Sequence, residues 1–271
     1  MYSLANDALS ISILDPIADR RHFGTRYCTG GYVLQIDDAK HGPLLSGAEY
    51  PGPFIPFNGQ GMPEAFNLSP LRENASTSPN ALIIGIGLCD LDKDTVLEFC
   101  QWEVEQAPGA IVMRTSQAYE GFALVLERAV ILNHRTVRSF THVNNTGKAF
   151  IPIRWFPHPF YPQPVTDELC RFNFAVTIPE NSGYVMAPSC FIARQNWPEK
   201  GGFYLPLDHD LHSPLTVLQK HPVLGLVGGT TSYVPSFFPI WGNHNTFSWE
   251  PFFERTLAPN QSTSWWIDYD F

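Results

Sequence analysis

The chain carries little charge. Of its 271 residues, 16% are Asp, Glu, Lys or Arg, only 17 are basic, and the formal net charge is −9. Nucleic-acid binding needs clustered Lys and Arg against phosphates, and the densest basic pair here is Arg20-Arg21. No nucleic-acid partner is expected, and the acidic balance disfavours anionic membrane surfaces. Long apolar runs are also missing. Nothing approaches the roughly 18 residues of a spanning helix, so no membrane span is expected. Cys28, Cys89, Cys100, Cys170 and Cys190 are scattered, odd in number and without a C-x-x-C pair. This excludes a zinc ribbon or a thioredoxin-type motif and favours buried thiols of a reducing compartment over a disulfide framework. The opening Met1-Tyr2-Ser3-Leu4-Ala5-Asn6 lacks the basic-then-apolar order of a secretory signal. A cytoplasmic location is the expectation.

Several chemical signatures are absent as well. There is no P-loop, G-x-G-x-x-G, G-x-S-x-G or H-E-x-x-H. Nucleotide, dinucleotide, α/β-hydrolase and zincin readings therefore have no sequence support. Nor does any stretch of about a dozen residues keep a 3.6-residue period. The best helical candidate, around Pro63-Glu64-Ala65-Phe66, is short.

What is present points to strands. Aromatics reach 14%, and 20 Gly with 24 Pro supply turns. Strand-like stretches recur, among them Tyr32 to Ile36, Val96 to Val104, Ala110 to Arg114, Ala123 to Glu127, Val137 to Val143, Thr246 to Trp249 and Trp265 to Tyr269. Asn144-Asn145-Thr146-Gly147 reads as a hairpin turn, with Phe150 to Trp155 as the return strand. A dozen or more strands without a composition shift predict one all-β domain over 1–271, a large antiparallel sandwich or barrel.

Four segments are candidates for chemistry. In Arg154-Trp155-Phe156-Pro157-His158-Pro159-Phe160-Tyr161 the histidine lies between two prolines, which exclude a helix interior or a central strand. It either presents an imidazole to a pocket or packs in a loop. In Phe247-Ser248-Trp249-Glu250-Pro251 a carboxylate closes a strand among apolar neighbours. Desolvation there makes a stronger base, unless the group is a rim glutamate or one paired with an arginine. The segment Phe57-Asn58-Gly59-Gln60-Gly61-Met62-Pro63-Glu64-Ala65-Phe66, an amide flanked by two glycines and bracketed by aromatics, can bring amide and backbone groups to a hydroxyl-rich ligand, or can be a plain turn. Asp208-His209-Asp210-Leu211-His212 has metal-ligand types but no second cluster, so a polar loop or one hydroxyl-binding aspartate is the better reading.

The order of these pieces resembles the aldose 1-epimerase (galactose mutarotase-like) superfamily. That family's "N-T-G-x-x-x-x-P" strand leading to "H-P-Y-F" is matched by Asn145-Thr146-Gly147, Pro152 and His158-Pro159-Phe160. Its apolar-Trp strand, its "E-P" and its "L-x-P-G" are matched by Phe238 to Trp241, Glu250-Pro251 and Leu257-Ala258-Pro259-Asn260. Asn260 replaces the glycine, and no "H-G-x-x-R" occurs. The resemblance implies a galactose mutarotase-like β-supersandwich and interconversion of α and β anomers of an aldose. It implies Glu250 as base and His158 as acid, with His158 charged and Glu250 ionised at rest. Expected sugar contacts are Asn58, Gln60, Glu64, Arg114, Arg154, Trp155, Asp208 and Trp249, with Arg26 as another possible cation source. The chemistry needs no metal and no organic cofactor, and the partner is a small sugar or sugar derivative, bound by a monomer or homodimer. The other reading is a non-catalytic carbohydrate-binding protein on the same fold.

Overall fold

A computed structural model describes residues 1–47, 59–74, 78–196, 202–210 and 212–271. Among them the only helical element is a 3-10 turn at Arg20–His22, and none of their helices is long and apolar enough to cross a membrane. The largest sheet has ten antiparallel strands. In spatial order they are Tyr184–Met186, Ile192–Arg194, Glu168–Phe172, Thr216–His221, Gly225–Thr231, Ser262–Asp270, Thr136–Asn145, Phe122–Asn133, Ala110–Tyr119 and Glu103–Ala107. Facing elements are smaller. One sheet joins Phe253–Leu257, Ile151–Pro157 and Glu64–Ala65, and another joins Tyr161–Pro162, Thr246–Trp249, Pro239–Gly242 and Phe203–Pro206.

Alternation along the strands decides which side of the large sheet is dry. Thr136–Asn145 buries every second residue, Val137, Ser139, Thr141, Val143 and Asn145, and leaves the intervening ones half-exposed. The principal core runs from Leu4 to Phe271 and contains Trp155, Trp249 and Trp265, all at most 1% exposed. Cys28, Cys89, Cys100 and Cys170 are free thiols buried in it, while the fifth thiol, Cys190, is exposed.

Two local expectations are corrected. Pro63 to Phe66 is not helical: Glu64–Ala65 is a short strand whose residues pair with Pro157 and Phe156. Ile151–Pro157 is also not the hairpin return of Thr136–Asn145. Both edges of that strand are already occupied, by Phe122–Asn133 and by Ser262–Asp270. The Asn145-Thr146-Gly147 turn instead hands the chain to the opposite sheet. Thr146 N and Gly147 N both donate to Ala123 O at 2.9 Å, and the Asn145 amide donates to Ala149 O at 2.9 Å and Leu257 O at 3.0 Å. That crossing carries the chain towards His158.

Candidate active site

The Ile151–Pro157 strand ends where proline removes backbone donors. His158 and Phe160 then lie on the segment 61–63. His158 N donates to Pro63 O, and Phe160 N to Gly61 O, each at 2.8 Å. The imidazole is 4% exposed. Phe160 stacks on it at 4.2 Å between ring centroids, and Trp241 and Tyr27 approach edge-on at 5.7 and 6.2 Å. Gly61 has φ +73, and a Cβ there would lie 2.4 Å from Leu34 O and 2.5 Å from Val33 O. Those contacts are backbone atoms of a neighbouring strand, and the left-handed conformation adds strain. Gly61→Ala should therefore lower the thermal midpoint by several degrees and disturb the His158 ring resonances. An unchanged midpoint and unchanged resonances would show that the segment yields freely.

Glu250 follows Thr246–Trp249, a strand buried at all four positions, and precedes Pro251, which cannot extend the ladder. Its N–H donates to Pro239 O at 3.0 Å. Its side chain is as dry as the imidazole, and Oε1 lies 3.2 Å from His158 Nε2. Two polar groups that are 92 residues apart in sequence therefore meet at hydrogen-bond distance in the interior.

Burial decides their protonation. Loss of solvent raises the Glu250 carboxyl from 4.5 to about 8, with the Arg26 guanidinium pulling in the opposite direction. Burial holds the His158 imidazole well below 6.5, and the positive charge of Arg26 adds to the effect. At pH 7 the pair holds one proton, resting on Glu250, beside a neutral ring. This is not the charged resting state expected from the resemblance, because loss of solvent disfavours the charged form of both groups. The imidazole Nδ1 has no hydrogen-bond partner among the described residues.

No protein-family model matches the sequence, and no curated protein matches it. Solved structures do match. A galactose mutarotase related enzyme from Lactobacillus acidophilus is 12% identical, with 99% of this chain and 96% of that chain covered and a TM-score of 0.64. A putative aldose 1-epimerase from Escherichia coli K12 is 13% identical over 99% and 97%, with a TM-score of 0.60. A GalM/aldose epimerase homologue from C. elegans is 13% identical over 99% and 97%, with a TM-score of 0.55. The fold is galactose mutarotase-like.

Within this mutarotase-like fold the other expected sugar contacts separate. Asn58 lies outside the described residues. Gln60 is buried on the segment under His158, and its carbonyl accepts from the Tyr32 hydroxyl at 2.9 Å. Glu64 faces the sandwich interior, 2.5 Å from Arg128, and accepts from Trp155 Nε1 at 3.2 Å. Trp155 is 1% exposed against Trp265 and Tyr233, and Trp249 is wholly buried between Tyr161 and Tyr269. Glu64 and these two indoles are core groups, not platforms for a sugar. Arg114 is also corrected: it is exposed on the large sheet and paired with Glu127 at 2.6 Å and Glu105 at 3.4 Å. Arg154 pairs with Glu254 at 2.9 Å and lies over Phe252. Asp208 is exposed in a two-stranded ribbon opposite Thr177.

Two neighbours of the pair were not among the expected contacts, and a third, Arg26, was expected only as a possible cation source. Tyr27 and Trp241 are half-exposed aromatics against His158, and Arg26 is exposed, with its guanidinium carbon 5.2 Å from the Tyr27 ring centre. Arg26 had only its charge to mark it. Nothing local marks Tyr27, which lies 131 residues before the histidine it touches.

Proposed function

We propose that the chain is an aldose 1-epimerase-like enzyme that interconverts the anomers of a small sugar through His158 and Glu250. The supporting observation is the convergence of these two buried side chains at 3.2 Å. Mutarotation needs a proton taken from the anomeric hydroxyl and a proton given to the ring oxygen. Both oxygens are bonded to one carbon, so an acid and a base side by side can serve them together. Glu250 gives its proton to the ring oxygen as the C1–O5 bond breaks and its electrons pass to that oxygen. Neutral His158 takes the hydroxyl proton as the aldehyde forms. The aldehyde group rotates, and reclosure returns both protons. Each transfer contributes about 10²–10⁴-fold. The roles are those of the resemblance in reverse order for ring opening, because Glu250 holds the resting proton.

The test is polarimetric or NMR mutarotation of freshly dissolved α-glucose and α-galactose in dilute buffer. Wild type accelerates the approach to equilibrium, and His158→Ala and Glu250→Gln each abolish the acceleration. The closed contact, which leaves no pyranose between the two groups, favours a second reading: sugar binding without catalysis. Calorimetric binding of a sugar without acceleration would support it.

The pH dependence follows from the same protonation. One proton on the pair is required. As pH rises through about 8, Glu250 loses that proton and kcat/KM falls. On the acid side His158 stays neutral to well below 6.5, so activity persists there. An acid limb centred at the ordinary histidine value of about 6.5 would contradict this protonation scheme.

A further inference from the structure

The mechanism leaves one buried ion pair unused. Arg128 is 1% exposed and Glu64 is 4% exposed. Beyond its 2.5 Å contact with Glu64, the guanidinium donates to Ser139 Oγ at 3.0 Å, to Gly30 O at 3.3 Å and to Thr141 Oγ1. The Ser139 hydroxyl in turn donates a hydrogen bond to Glu64 Oε1 and so links the two ions. Burial raises the Glu64 carboxyl, while Arg128, Ser139 and Trp155 act against that shift.

The backbone around Glu64 connects this pair to the candidate active site. On one side, Pro157 pairs with Glu64, and Pro63 O and Gly61 O hold His158 and Phe160. On the other, Glu64 O accepts from Cys28 N at 2.8 Å. Cys28 follows Tyr27, whose ring edge meets the imidazole. Arg128 reaches the same stretch through Gly30 O. Two chain segments that flank His158 are thus fastened to one guanidinium–carboxylate pair.

We propose that Glu64 and Arg128 form a positioning clamp that sets the His158 imidazole against Glu250. Neither residue touches the reacting atoms. The catalytic meaning of the clamp rests on the acid/base reading above, while its geometry is testable without activity.

The experiment follows the His158 ring by ¹⁵N NMR, with His158→Asn used to assign its signals. The neutral double variant Glu64→Gln with Arg128→Gln is compared with wild type. Leu132→Ala, a cavity elsewhere in the core, controls for general destabilisation. In the folded double variant water reaches the loosened imidazole, and its apparent pKa rises by about one pH unit or more towards 6.5. If wild type accelerates mutarotation, kcat falls about ten- to hundredfold with KM little changed, as for a misplaced reacting group. Leu132→Ala leaves His158 as in wild type. A folded double variant with unaltered His158 titration overturns the clamp. If the double variant does not fold, Ser139→Ala decides, with a smaller change in the same direction supporting the clamp and no change overturning it. A responsive His158 in a protein without mutarotase activity would keep the clamp and remove the epimerase reading.

Discussion

Glu250→Gln should slow anomer interconversion by about 10²–10⁴-fold. Glutamine keeps the size of the side chain and can still hydrogen-bond to His158 Nε2, now 3.2 Å from Oε1. What it cannot do is release a proton to the ring oxygen and recover it on closure. His158→Ala should cost a similar factor by removing the acceptor of the anomeric proton. The two losses should not multiply. Both groups share one proton and act in one concerted exchange, so the double variant should be no slower than the slower single variant. Polarimetric rates for the four proteins at pH 7 provide the check. Losses that multiply would mean that the two side chains act independently, and the shared-proton mechanism would have to be abandoned.

Glu64→Gln should destabilise the fold by about 3–5 kcal/mol, because it strands the Arg128 cation in the interior without its counter-ion. At 1% exposure the Arg128 guanidinium has no route to solvent. Adding Arg128→Gln should recover much of that loss, since two neutral amides carry no unpaired charge. The favourable coupling would appear in urea unfolding as a shift of midpoint at constant slope. A Glu64→Gln midpoint within experimental error of wild type would show that Ser139, Thr141 and Gly30 O satisfy the guanidinium by themselves.

The fold class was legible because its causes are local. Alternating apolar positions, abundant turn residues and the lack of any 3.6-residue period all describe single strands, and they lead to antiparallel sheets whatever the pairing. The pairing itself was not local. Asn145-Thr146-Gly147 has hairpin chemistry, yet the strand before it has neighbours on both edges, so the chain after it crosses to the facing sheet. His158 and Glu250 stood out because proline and aromatic flanks place a polar group at a strand end. Glu64, Trp155 and Trp249 looked equally like cleft residues. Their local sequence does not record which side of the sheet they face or what stands opposite.

The sequence by itself determined the strand-rich architecture, the paucity of cationic surface and the two side chains on which the chemistry is proposed to depend. The architecture and the sparse positive charge follow from composition and period; proline and aromatic flanks made His158 and Glu250 candidates, and the resemblance to the aldose 1-epimerase superfamily gave them their roles. Tertiary structure decided the rest. It brought Glu250 within 3.2 Å of His158, placed Tyr27, Trp241 and Arg26 around them, and turned Glu64 inward to Arg128. It also decided which partner of the pair holds the proton. That depends on how far both groups are removed from water, and burial is a property of the packed chain, not of any residue in it.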